Sequence, residues 1–234
     1  RTHDLENSKD VIGKAKEILE KIDYPFGEIT INSKYGYWHY AQNHFNQALK
    51  YWQLCKGQAE KINDVRGLSV ALSNCGLAYQ NLGNLNEALV NFDKSLKIDQ
   101  AGGYLKSEAM TSGNIGKVYH MQGDFSKALE LYQKSYEIGK SLGSKQIQGM
   151  SLGNLAVLYQ LNGDRELALA SHKEVLSIRQ KIGYIQGEVL SLMSVGSWYH
   201  EDGEYEKAID YFEQAIKLIR VNSLKGQEPH CLLD

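Results

Sequence analysis

Seven histidines, 28 carboxylates and three cysteines are the side chains in this sequence that could hold a metal, move a proton or attack a carbonyl. Their spacing suits none of these tasks. His39 and His44 are five apart, off the three- or four-residue step that places side chains on one helical face. His120 and His200 occupy equivalent positions in units far apart along the chain. No recurring carboxylate pair offers an acid and a base. Cys55, Cys75 and Cys231 are too scattered for a thiolate site or a disulfide framework. A P-loop, a dinucleotide fingerprint, HExxH, GxSxG and CxxC are all missing from the sequence. The expectation is a protein that is not an enzyme, with no metal and no cofactor.

Amides recur where catalytic groups do not. Asn74, Asn114 and Asn154 stand forty residues apart. Near them lie Gln80, Asn81, Lys117, His120, Met121, Gln160 and His200, which complete the candidate peptide-binding set. Amides can hydrogen-bond the main chain of a bound segment, and methionine adapts to varied partners. The competing role for the asparagines is a ladder between neighbouring helices.

These residues sit in a repeat. SNCGLAYQNLGNLNEALVNF begins at Ser73; forty residues on stands GNIGKVYHMQGDFSKALELY, then GNLAVLYQLNGDRELALASH and MSVGSWYHEDGEYEKAIDYF. SKYGYWHYAQNHFNQALKYW, from Ser33, is a more degenerate copy. One column reads Gly36, Gly76, Gly116, Ala156, Gly196; three residues later come His39, Tyr79, Tyr119, Tyr159, Tyr199. Asn43, Gly83, Gly123, Gly163, Gly203 follow, then Ala48, Ala88, Ala128, Ala168, Ala208.

Leu72, Gly76 and Tyr79 fall on one helical stripe. A mid-helix glycine costs roughly 1 kcal/mol against alanine, so its recurrence implies close approach of a second helix, with the alanine column as its contact. Gly83-Asn84 and its equivalents read as a left-handed stop followed by a side-chain cap, and Asn84 with Glu87 has capping-box spacing. Each repeat is therefore a helical hairpin, helix A near 67–82 and helix B near 85–101.

The Gly–Tyr–Gly–Ala spacing, with Trp52, Phe92, Tyr132 and Phe212 four residues after the alanine but His172 in the fourth copy, resembles the tetratricopeptide repeat family. The usual unit has 34 residues; the 40-residue form is similar to kinesin light chains, LGN-type adaptors and bacterial signalling proteins. The resemblance implies an all-α, right-handed superhelix of antiparallel hairpins whose A helices line a concave groove. Its repeats are placed at 27–62, 67–102, 107–142, 147–182 and 187–222, after a lone helix B at 5–23 and before the start of another repeat at 227–234. Neither end supplies a complete cap, so the expectation is one solenoid cut from a longer protein.

Lys plus Arg (26) nearly balance Asp plus Glu (28), which gives no pull toward nucleic acid or anionic lipid. No apolar run nears the ~20 residues that span a bilayer. Sparse cysteine fits a reducing, cytoplasmic setting. The implied function is a protein-interaction scaffold that holds a peptide or helix and regulates a larger signalling protein. The alternatives are a self-associating module forming homo-oligomers and the non-catalytic part of a multidomain enzyme.

Overall fold

A computed structural model describes residues 11–14, 17 and 24–222. The expected segments at 5–23 (apart from helical residues 11–14 and 17) and 227–234 lie outside the described residues. Ten helices follow in order: α1 Pro25–Ala41, α2 Phe45–Lys61, α3 Val65–Asn81, α4 Leu85–Ala101, α5 Leu105–Met121, α6 Phe125–Ser141, α7 Lys145–Asn162, α8 Arg165–Lys181, α9 Ile185–Glu201 and α10 Tyr205–Val221. No strand occurs among the described residues. The helices gather into two compact units, 1–124 with α1–α5 and 125–234 with α6–α10. Within each unit every helix packs on its chain neighbour.

The glycine stops form as the spacing requires. Gly83, Gly123, Gly163 and Gly203 have φ between +79° and +83°. The Gly83 and Asn84 amides donate to the carbonyls of Gln80 and Tyr79, a Schellman closure that satisfies the helix end. A second glycine column, Gly103, Gly143 and Gly183, does the same at the hairpin junctions with φ +67°, +63° and +65°. Asn43 and Asn63 take the left-handed position in the earliest turns. A left-handed residue thus recurs every twenty residues.

The helix starts differ from expectation. Asn84 and Asp164 make no side-chain cap, and no capping box forms. Their ψ angles of 69° and 64° fall short of the extended geometry an N-cap adopts. Asp64 and Ser144, at ψ 86° and 96°, do cap, accepting from the Gly67 and Ile147 amides.

The contact across each hairpin also needs correction. What fills the space over Gly76 is the ring of Phe92, not the alanine column. A Cβ on Gly76 would lie 2.6 Å from Phe92 Cε1, and one on Gly196 would lie 2.6 Å from Phe212 Cε1. Trp52 sits on Gly36 in the same way. The alanines are buried beside these rings; Ala48 clusters with Trp52 and with Cys75 and Ala78 of the following helix A. Glycine thus admits a ring, and alanine lets the next hairpin close over it.

Candidate functional site

In unit 1, Asn74 is part of the scaffold. Asn74 on α3 is 5% exposed, and its Oδ1 accepts a 3.0 Å bond from the Tyr37 hydroxyl on α1. It ties two neighbouring A helices together. Asn81 donates to the Tyr40 hydroxyl and to the Leu77 carbonyl. Gln80 is buried, with its amide 3.5 Å from the Met121 sulfur on α5. Met121 and Lys117 are exposed and Asn114 and His120 half-exposed along α5. Asn74→Ala should therefore cost about 1 kcal/mol, the net value of the lost bond to Tyr37; urea unfolding measures it, and an unchanged midpoint would remove Asn74 from the ladder.

A small hollow, about 210 Å³, opens beside Asn74, with Asp99 of α4 on its floor. Asp99 is buried; Oδ1 takes the Ser69 hydroxyl at 2.5 Å and Oδ2 the Thr111 hydroxyl at 3.3 Å. Burial raises its pKa above the ordinary carboxylate value, against the lowering effect of these hydroxyls. A raised folded pKa means the native state holds the proton longer than the unfolded chain. Stability attributable to Asp99 is then lost as pH rises from the unfolded carboxylate pKa through the folded one. The stability of Asp99→Asn relative to the native chain should improve across that window, as read from unfolding midpoints between acid and neutral pH.

Unit 2 presents a larger hollow of about 530 Å³ between α7 and α9, floored by α8. No Cα of α7 comes within 8 Å of α9. Met150, Asn154, Val157 and Gln160 of α7 face Leu190, Met193, Ser194 and Ser197 of α9. Asn154 is half-exposed and, unlike Asn74, its amide makes no side-chain hydrogen bond among the described residues. Gln160 Nε2 reaches Glu201 across the mouth at 2.9 Å. His200 lies outside this hollow, exposed and edge-on to Tyr205 at 5.6 Å, and lines a neighbouring one with Glu201 and Phe212.

Two floor residues were not among the sequence candidates. His172 is 7% exposed, and its Nε2 lacks a hydrogen-bond partner. Burial lowers its pKa, helped by Arg179 and opposed by Glu201, which favours the neutral ring. Arg179 is half-buried; its Nη1 donates to Gly187 O and Ser191 Oγ, both at 2.9 Å. Desolvation lowers its pKa too, but a guanidinium keeps its charge in proteins. His172 breaks a column of aromatic rings, Trp52, Phe92, Tyr132 and Phe212, whereas Arg179 stands in a column without a consensus, with Ala59, Asp99, Gly139 and Ile219.

The described residues include no group of three or more His, Cys, Asp or Glu side chains placed to hold a metal. None of their helices is long and apolar enough to cross a membrane. Cys55 and Cys75 are buried thiols pushed up to about 12, the reverse of a nucleophile's tuning.

Helical hairpins stacked within each unit define a helical-repeat protein. The chain belongs to the tetratricopeptide repeat family, whose model matches residues 67–141 and 147–220. Comparison with curated proteins finds no match. Among solved structures it is similar to BtubC (BKLC) from P. vanneervenii, at 18% identity and TM-score 0.73, covering 96% of this chain and 92% of that one. A Rap protein complexed with Competence and Sporulation Factor gives 17% and 0.75, covering 88% and 58%. NprR in complex with its cognate peptide NprX gives 17% and 0.72, covering 97% and 64%. The chain thus spans about three-fifths of the Rap and NprR chains.

Proposed function

We propose that this chain is a non-catalytic interaction scaffold that holds a peptide, extended or helical, along its A helices, as a regulatory segment of a larger signalling protein. The observation that carries this reading is the hollow of unit 2, where an uncommitted Asn154 amide stands among Met150, Val157 and Met193. Two donors and an acceptor on one amide suit a peptide main chain, while the methionines accommodate varied side chains. The Rap and NprR structures, which carry a Competence and Sporulation Factor and the peptide NprX, support the choice of a peptide over a small molecule. Asn114 and Lys117 on α5 are the equivalent contacts in unit 1.

The test is selection of peptides from a random twelve-residue library, followed by titration calorimetry. Asn154→Ala should weaken the selected peptides about fivefold or more, since a hydrogen bond to a neutral group contributes about 1 kcal/mol. Its urea midpoint should stay that of the native chain, in contrast to Asn74→Ala. Recovery of no peptide, or of peptides indifferent to Asn154→Ala, would overturn the reading.

A further inference from the structure

We propose that the hollow between α7 and α9 is a subsite for a carboxylate of the bound peptide, with the Arg179 guanidinium as its anchor. The proposal rests on the peptide-binding reading and adds the chemistry that the ligand must carry.

A guanidinium has five N–H donors in a fixed fork. Arg179 uses only Nη1, on two neutral acceptors, Gly187 O and Ser191 Oγ. Among the described residues it has no ion pair with any carboxylate. Nη2 reaches beneath α7, 3.8 Å from where a Cβ on Gly153 would stand, so the missing side chain leaves its approach open. The remaining Nε and Nη2 edge is the one that grips a carboxylate through two parallel bonds. A half-buried cation without a counter-ion favours a ligand that brings one.

The equivalent residue in unit 1 makes the contrast. Asp99 commits one oxygen to Ser69 and the other to Thr111, which stands in the column of Ser191. A structural link between α4 and α5 is therefore complete without a ligand, whereas the link from Arg179 to α9 leaves most of the fork unspent. His172, two helical turns before Arg179, adds a second uncommitted polar group where the other copies place an aromatic ring. The alanine in the Ala156 position explains a smaller ring, but not one bearing an unsatisfied nitrogen. Met150, Val157 and Leu190 line the same hollow with exposed apolar surface that a bound peptide would cover, which would strengthen the attraction.

The probes are the twelve-residue peptides that the library selection returns, synthesised in three forms: native, with each Asp or Glu changed to its amide, and with an amidated C-terminus. One of the two neutralisations should weaken binding tenfold or more, which also tells a side-chain carboxylate from a terminal one. Arg179→Gln should produce a similar loss, and the two losses should not add. The neutralised peptides act on the native chain, so the result does not hang on the variant folding. Ser191→Ala removes a tether but leaves the charge, and should keep the carboxylate preference; its complete loss there would make Arg179 a strut and sink the proposal. Peptides that need Asn154 yet survive both neutralisations overturn the carboxylate subsite alone. Failure to select any peptide overturns the subsite and the peptide reading together.

Discussion

Phe92→Ala is expected to destabilise unit 1 by about 3–5 kcal/mol, the range for removing a fully buried ring. The upper half applies because the site cannot collapse. The ring is completely buried, and opposite it stands Gly76, which has no side chain that could move into the space. On that side the void is lined by helix backbone, fixed by its own hydrogen bonds. Urea unfolding followed by circular dichroism would read the loss, and hydrogen exchange would place it in α3 and α4, since a repeat depends on its neighbours. A cost below about 1 kcal/mol would mean that the ring does not hold the hairpin together.

The converse substitution, Gly76→Val, tests the same contact from the other side. Helix propensity alone predicts a small gain, because glycine is the worse helix former by a few tenths of a kcal/mol. Packing predicts the opposite sign. The added Cβ would meet Phe92 Cε1 at 2.6 Å, and its two methyl groups would go further into a ring with no free side. Overpacking of this kind costs about 1–3 kcal/mol and outweighs propensity, so the urea midpoint should fall. Adding Phe92→Leu should return part of the loss. The chain has run a version of this compensation itself: the fourth copy combines Ala156 with the smaller His172 ring.

These two substitutions also show where sequence reasoning reaches its limit. The hairpins, their lengths and the first glycine column were legible, because a left-handed turn and a buried stripe leave marks in residue type. The partner of the glycine was not. Alanine and the aromatic ring recur with the same period, and periodicity alone does not say which one crosses to the facing helix. Capping was not legible either: Asn84 and Asp164 have suitable side chains but stay at ψ 69° and 64°, short of the 86° and 96° at which Asp64 and Ser144 cap after the same kind of turn.

The candidate site was half legible for a different reason. Asn74 and Asn114 are the same residue in the same column, yet only Asn74 meets a hydroxyl from the preceding A helix, because Tyr37 stands there and Leu77 stands in the equivalent place before Asn114. Reading the columns for departures, rather than for agreement, would have pointed to His172; Asp99 and Arg179 share a column with no pattern to depart from. Whether such a residue is satisfied or left with unspent donors depends on its neighbours' side-chain geometry, which residue types do not specify.

The left-handed turn recurring every twenty residues makes the chain a set of interchangeable parts. Any forty-residue block begins and ends in the same backbone conformation, at Asn63, Gly103, Gly143 or Gly183. A block can therefore be exchanged for another with no splice inside a helix and no change in length. Under the proposed function, relocating the charge preference means moving the block that carries His172 and Arg179 together with α9, which holds Gly187 and Ser191, as a syllable is moved within a word.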